Sequence, residues 1–491
     1  MYKEAIQDAI SMHELPSKWR SDILKEAEQV ASKKKTAQYR KDLRKLPFAT
    51  IDGEDAKDFD DAIYCTKDNN GYKLFVAIAD VSFYVKPNSK LDIEAKKRGT
   101  SIYFPAKVIP MLPENLSNGI CSLQPNEDRC SIICEMSIDL DGKRKKYKFY
   151  SALINSKARL TYNQVEKHLK KLSIIKQIAV KDSIKNLQNL TNLRLNLRNK
   201  RKALKINPKE AIIELNRSKK VINLEIKKSL FAHKLVEESM LLANESAAEF
   251  MHDRIDLGVY RIHEDPDPSK LEVLRKHFNI PTKIVKKMSP LEIIDSCLRI
   301  ARKKNDDLSQ VLILQTLARA EYSTNNLGHF GLQLKQYSHF TSPIRRYPDL
   351  LVHRLISSSL RHKKPETRQN ELQEECEKSS LLERRAEKAS RQVEQVLICS
   401  YLKTKVGSTM NGVITGVTDF GLFVNLESCF ISGLLHVSDL PNDRYQFLQD
   451  QNALKGTRRG TVYKLGQEIK VKIASIFPLE RKINLMISNG K

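Results

Sequence analysis

The spacing of apolar positions changes repeatedly along the chain, and each change predicts a different kind of element. Residues 1–46 place apolar side chains near helical spacing, clearest in "WRSDILKEAEQVA", before a basic run, "SKKKTAQYRKDLRK", leads to Pro47. This lead segment is too small to fold alone. From Phe48 to about Met136 the pattern is strand-like, with "KLFVAIADVSFYV" and "RCSIICEMSI" bounded by Gly, Asn and Pro. From about Asn163 it becomes mainly helical, and "SLFAHKLVEESMLLANESAAEFM" is an amphipathic stretch long enough to pack against a sheet. From about Val406 it changes again, to short alternating strands such as "GSTMNGVITGVTDFGLFVNL" and "FISGLLHVSDL", the signature of a small five-stranded OB-fold barrel. The expected fold class is α+β, with a helical lead at 1–46, a central sheet with packed helices at 47–403 and a β-barrel at 404–491. In the barrel, Phe420, Phe423 and His436 are candidates for base stacking, worth about 1–3 kcal/mol per base. Regular alternation in "DFGLFVNL" would put Phe420 and Phe423 on opposite faces.

Charge narrows the partners. With 85 Lys and Arg against 59 Asp and Glu, the formal net charge is +26 and the pI near 9.5, so the summed field attracts polyanions, nucleic acid first among them. Any single run of lysines is more often a solvated surface than a binding site; only the total carries weight. The N-terminus mixes charges into its first turn and lacks an apolar signal-peptide core, and no apolar run approaches the ~18 residues of a membrane span. The eight cysteines are dispersed, and Cys130 and Cys134, the one close pair, have no partner at zinc-finger spacing. They read as reduced, mostly buried thiols of a cytoplasmic protein.

Against this basic background, "TIDGEDAKDFDDA" at 50–62 crowds Asp52, Glu54, Asp55, Asp58, Asp60 and Asp61 together. Carboxylates at such range raise one another's pKa and oppose folding unless a cation offsets the repulsion. A hard divalent ion would do so, and in two-metal sites such ions serve an in-line displacement at phosphorus. A capping or turn role explains one of these aspartates rather than four, and the run fails the calcium-loop spacing. A phosphorylated aspartate nucleophile remains an alternative to metal-dependent phosphodiester chemistry.

A second cluster, "GHFGLQLKQYSHFTSPIRRYPDLLVHR", sets His329, His339, Arg345, Arg346, His353 and Arg354 around Pro343 and Pro348. An arginine pair suits bidentate contact with phosphate and charge stabilisation on a transferring phosphoryl group. Each histidine taken singly reads as structural, since neither HExxH nor another metal spacing is present.

These two stretches, with "VAIADVSFYVKP" and "RGTSIYFPAKVIPMLPENLSNGICSLQPNEDRC", closely resemble the RNB-type catalytic domain of the exoribonuclease II family, in its ribonuclease R branch, and the terminal barrel resembles the RNA-binding OB domain that ends those enzymes. The resemblance runs from about Leu15 almost to Lys491. It implies a processive exoribonuclease that threads single-stranded RNA 3′ end first and releases nucleoside 5′-monophosphates with Mg²⁺. Carried over by motif position, Asp52 and Asp61 would bind metal, Asp58 would support the site, and Asp60 would serve the second metal and the attacking water. Arg345, with Arg346 as a second candidate, would hold the scissile phosphate. Tyr103 and Tyr260 match the aromatic clamp on the terminal bases, although relatives more often have Phe at the latter, and Tyr162 matches the tyrosine that sets the length of the end product. Relatives usually carry cold-shock-type domains before the catalytic unit, and Met1 falls about where those would end, so the RNA entrance is expected to be partly built. The expected state is a monomer acting without a membrane. The rival expectation is a non-catalytic RNA-binding protein that keeps both folds; loss of a carboxylate or of Arg345 would mark it, and none is lost.

Overall fold

The computed structural model describes residues 1–32, 39–172, 175–206, 211–226, 229–285, 287–303, 307–427, 431–441, 443–449 and 452–488. Its centre is a seven-stranded sheet in the order Lys41–Asp42, Arg144–Asn155, Asp128–Ile138, Gly71–Ala79, Asp61–Asp68, Ala49–Asp52, Ala158–Thr161. Neighbours are antiparallel except for the outermost pair at each edge. The middle strand, "GYKLFVAIA", is buried at all but one position, which is why it reads as a continuous apolar run rather than an alternating one. The helix Phe231–Arg254 packs along one face, where the buried Ser246 hydroxyl donates to the Met136 sulfur at 3.5 Å.

The segment after Pro343 is held from beneath by this core. Helix Tyr347–Leu360 starts with Pro348 in its first turn, where a missing N–H costs nothing. Its buried His353 stacks on Phe340 with ring centres 4.6 Å apart, and the same imidazole bonds the Phe340 carbonyl at 2.8 Å. Phe340 in turn meets Phe149 edge-on and donates its backbone amide to Asn244 at 2.8 Å.

The lead segment is not separate from this unit. Helix Tyr2–Met12 buries Ala5, Ile6 and Ala9 against Ala389, Val393 and Val396 of the long helix Gln369–Leu402. Helix Ser21–Ala31 places Ile23, Ala27 and Val30 in the main core. The basic run between that helix and Pro47 falls partly at 33–38, outside the described residues.

The C-terminal strands close a five-stranded barrel in the order Thr409–Thr418, Gly421–Leu426, Ile431–His436, Lys482–Ile487, Glu468–Phe477. A three-stranded sheet, Tyr445–Leu448, Ala453–Gly456 and Val462–Lys464, is inserted between the third barrel strand and the strand Glu468–Phe477. Leu422, Val424, Leu435 and Leu485 fill the barrel with Ile398, Cys399 and Leu402 from the end of the long helix. One expectation fails here: Phe420 and Phe423 do not part to opposite faces. The strand begins at Gly421, so Phe420 lies in the preceding turn; both rings are exposed, 45% and 36%, and meet edge-on at 6.1 Å.

The seven described cysteines are free and buried; Cys429 lies outside the described residues. Among the described residues no helix is long and apolar enough to cross a membrane.

Gly99 ties the end of helix Lys90–Arg98 to the start of helix Tyr347–Leu360. It has φ +72°, its carbonyl accepts the Tyr347 amide at 2.9 Å, and a Cβ there would sit 2.6 Å from Leu382. Gly99→Ala should therefore lose about 1–3 kcal/mol in urea denaturation, from positive-φ strain plus overpacking; an unchanged unfolding midpoint would show that the turn relaxes without cost.

Candidate active site

Asp52 ends one strand and Asp61 begins the next, and the antiparallel pairing that sets Ala49 opposite Ile63 draws those two ends together. The loop between them carries Asp58 and Asp60 and is pinned from outside. The Phe59 amide donates to the Ser122 hydroxyl at 3.0 Å, that hydroxyl donates to the Lys57 carbonyl at 2.7 Å, and the Leu123 amide donates to the Phe59 carbonyl at 3.0 Å. On the other side the Arg159 guanidinium donates to the carbonyls of Gly53, at 3.1 Å, and Glu54. Neither Ser122 nor Arg159 stands out in the sequence, because both act on backbone that only the fold brings near.

The carboxylates are unequal. Asp60 is 5% exposed; one oxygen accepts the Ile344 amide at 2.8 Å and the other lies 3.5 Å from Arg345 Nε. Burial drives its pKa well above the ordinary carboxylate range, with the Arg345 charge pulling the other way. Burial first, and then the charge of Asp52, pushes Asp61 up to about 7. Its Oδ2 is shut off from solvent and has no hydrogen-bond partner. Burial also raises Asp52, opposed chiefly by the Gly53 amide that donates to it at 2.7 Å. Asp58 accepts the Tyr103 hydroxyl at 3.1 Å.

Arg345 stands over this group with its side chain 44% exposed. Its carbonyl accepts the Ser101 amide at 2.9 Å and the Thr100 hydroxyl at 3.0 Å, and its Nη2 donates to the Ser342 hydroxyl at 3.0 Å. A fixed guanidinium with an open side beside buried carboxylates can receive a phosphate.

The other sequence candidates divide. Tyr103 is 42% exposed above Asp58, with a ring free to stack. Tyr162 opens the helix Tyr162–Leu169 behind a Thr161–Gln164 capping box, lies flat on His233 at 4.1 Å, and feels the charges of Asp52 and Asp61. Phe420, Phe423 and His436 share one patch of the barrel, where Gly421 pairs with His436 and the Val437 amide donates to the Phe420 carbonyl at 2.9 Å. Two candidates lie differently from what the motif suggests. Arg346 turns away from the carboxylates to the fully buried Asp349, at 2.7 Å. Tyr260 is 5% exposed, in a strand paired with Glu321–Ser323 and with its ring against Gly258, so neither face is open to a base. Asp349 was missed by sequence reasoning; its one signal is a carboxylate just after Pro348, in the first turn of a helix.

Among the described residues no three His, Cys, Asp or Glu side chains converge as a metal-ligand set. The residues nonetheless fit a hard cation of the kind that takes one or two carboxylates plus water and phosphate oxygens. The charge of Asp52 raises the proton affinity of Asp61, that of Asp58 raises Asp52, and Asp61 Oδ2 is an orphaned acceptor such an ion would satisfy.

Comparison with known proteins agrees with this architecture. A family model described as "RNB domain" matches residues 40–362, and one described as "S1 RNA binding domain" matches 403–488. Ribonuclease R of Escherichia coli is 39% identical over 509 residues, covering 99% of this chain and 62% of that protein. Ribonuclease R of Thermotoga maritima is 38% identical, covering 98% and 70%. The apo form of Mycoplasma genitalium RNase R matches with a TM-score of 0.92 at 32% identity, covering 98% of this chain and 77% of that one, and the same protein has been solved with ribose-methylated single-stranded RNA. Fold and site together define an RNB-type protein ending in an S1 barrel. The chain belongs to the ribonuclease R family, and it spans about three fifths of the length of the Escherichia coli relative.

The raised Asp61 has a measurable consequence. Between about pH 4 and pH 7 the folded protein holds a proton there that the unfolded chain releases, so this group's contribution to stability is lost as pH rises through that window. Two half-buried histidines act oppositely: desolvation lowers His329 to about 3 and His339 well below the usual value, so their contribution is lost as pH falls below about 6.5. Asp61→Asn removes the first effect alone. In metal-free buffer, wild-type stability minus that of Asp61→Asn should fall between pH 4 and pH 7; a flat difference would show that Asp61 is ionised throughout.

Proposed function

We propose that the chain is a Mg²⁺-dependent, hydrolytic 3′-to-5′ exoribonuclease that degrades single-stranded RNA processively to nucleoside 5′-monophosphates. The observation that carries this reading is the half-exposed Arg345 guanidinium fixed beside buried Asp60, next to an Asp61 oxygen that lacks any donor. Mg²⁺, held by Asp52 and Asp61, would supply positive charge against the phosphate and lower the pKa of a nearby water.

The chain's own groups account for the rest. Arg345 binds and orients the scissile phosphate from the solvent side, its backbone locked by Ser101 and Thr100. Asp60, whose Oδ1 is committed to the Ile344 amide, offers the oxygen nearest Arg345 as acceptor for the proton of the attacking water. Tyr103 stacks on a terminal base while its hydroxyl stays on Asp58, and Tyr162 bounds the pocket on the side of Asp52 and Asp61. The Phe420, Phe423 and His436 patch takes upstream bases. The working division is a helical lead at 1–46, a catalytic unit at 47–403 and an RNA-binding barrel at 404–491. Supporting the substrate class, the similar Mycoplasma genitalium RNase R has been solved with ribose-methylated single-stranded RNA. Seven buried free thiols suit a reducing compartment, the cytoplasm, and we take the active species to be a monomer. The intact carboxylates and Arg345 argue against a purely RNA-binding role.

Asp60→Asn should lower turnover by about 10²–10⁴-fold while leaving RNA affinity intact. Parallel binding and single-turnover assays decide this, and catalysis within a few-fold of wild type would remove Asp60 from the mechanism.

Direction is tested with ends. A blocked 3′ terminus should stop degradation, a blocked 5′ terminus should not, and circular RNA should survive. Mg²⁺-dependent cleavage of a circle, absent from the Asp60→Asn control, would make the protein an endonuclease instead.

A further inference from the structure

The two tyrosines beside the carboxylates are held in different ways. Tyr103 bonds Asp58 through its hydroxyl at 3.1 Å, and its carbonyl is fixed by Ser390 at 2.9 Å. Tyr162 has a fixed backbone: Thr161, the residue before it, pairs with Asp52 in the sheet, and Asn163, the residue after it, donates to Glu54 at 3.1 Å. Among the described residues no hydrogen bond reaches its hydroxyl, so what sets the ring is the surface it lies on. That surface is the imidazole of His233, with ring centres 4.1 Å apart and planes inclined by 23°. Tyr162 is half-buried, so a ring with one face on His233 keeps surface open to a ligand.

His233 is fixed in turn. It sits in the first turn of helix Phe231–Arg254, where its Nδ1 accepts the Leu230 amide at 3.0 Å. The neighbouring Ala232 amide donates to Glu166, on the helix that Tyr162 begins, at 3.2 Å, so the two helices meet through a backbone bond and a ring pair side by side. The bond at Nδ1 is a helix cap, and Gln or Glu in that place caps a helix as well. The cap therefore does not call for a flat ring. The stack does, because paired aromatic rings attract beyond the area they bury.

We propose that His233 is a positioning residue: it holds the Tyr162 ring as the pocket wall beside Asp52 and Asp61, and so sets how short an RNA the site still retains. This rests on the exoribonuclease reading above. A long RNA is held by many contacts, those at the barrel among them, and one slack ring costs it little. An RNA of a few nucleotides reaches only the pocket, and loss of one ordered aromatic wall lets it dissociate before it is cut. His233 touches no reacting atom in this scheme and acts through Tyr162 alone.

Two substitutions separate cap from stack. His233→Gln keeps the cap and removes the ring, whereas His233→Phe keeps the ring and removes the cap. When a 5′-labelled single-stranded RNA is digested to completion with Mg²⁺, His233→Gln should leave a longer labelled remnant than wild type. Its kcat/KM should fall about 3- to 10-fold more on a short RNA than on a long one, the size of one stacked pair. His233→Phe should leave the wild-type remnant even if its melting temperature drops. Tyr162→Ala should lengthen the remnant too, and adding His233→Gln to it should lengthen it no further. Should His233→Gln fail to fold, His233→Asn removes the ring while keeping a capping side chain. Trinucleotide binding in an Asp60→Asn background reads the same ranking without cleavage: a wild type that does not cut would sink the exoribonuclease reading, while this binding still judges His233. A wild-type remnant from His233→Gln, a remnant lengthened equally by His233→Phe, or equal trinucleotide affinity with His, Gln and Phe at this position would each overturn the proposal.

Discussion

Four aspartates on one hairpin repel one another, and the burial of Asp60 and of the Asp61 Oδ2 atom removes solvent screening from that repulsion. Asp60 and Asp61 respond by holding protons far more tightly than free carboxyls do, and Arg345 lies among them as the internal counter-charge, favouring the ionised form of Asp52, Asp60 and Asp61 alike. Any conformation that lets Arg345 drift leaves buried carboxylates uncompensated, an expensive condition in a low-dielectric setting. The rest of the unit can be understood as what keeps those two chain segments, 284 residues apart where Ile344 bonds Asp60, in register.

The bracing comes from both sides. On the aspartate side, Ser122 and Arg159 hold backbone carbonyls and so fix the loop, and the Arg159 guanidinium also favours the ionised form of Asp52. On the arginine side, buried Asp349 accepts the Ser342 amide at 2.8 Å and the Arg346 guanidinium, closing the turn that presents Arg345. Below it, His353 and Asn244 tie Phe340 to the helices of the core. Adjacent arginines thus have opposite duties: one faces the pocket and solvent, the other neutralises a buried carboxylate.

Much of this was legible in the sequence. The continuous apolar run at 71–79, the alternating strands after Val406 and the crowding of aspartates at 52–61 each report a local property, and locality is what patterning records. Contacts between distant segments were not legible. Arg345 and Arg346 are chemically identical in a linear reading, and only the burial of Asp349 separates them. Tyr260 matches an aromatic motif position, yet packing on Gly258 decides its exposure. Alternation misplaced Phe420 because it assumes a strand that the turn at 419–420 interrupts. Ser122 and Arg159 left no signal, since a side chain that bonds a remote carbonyl needs no neighbouring pattern.

Barrel and pocket share a single mechanical reference, the helix Gln369–Leu402, which at 34 residues is about 50 Å long. Its first half anchors the pocket surroundings: Ser380 accepts the Tyr322 amide at 2.9 Å, and Glu383 pairs with Arg261 at 2.6 Å. Midway, Ser390 donates to the Tyr103 carbonyl at 2.9 Å, fixing the strand that carries the exposed ring over Asp58. Its last turn supplies Ile398, Cys399 and Leu402 to the barrel core. A polymer engaging both the barrel patch and the pocket therefore spans two sites whose separation is set by one rigid element rather than by a linker. That arrangement reduces the entropy lost on simultaneous contact, because the spacing is already fixed before the polymer arrives.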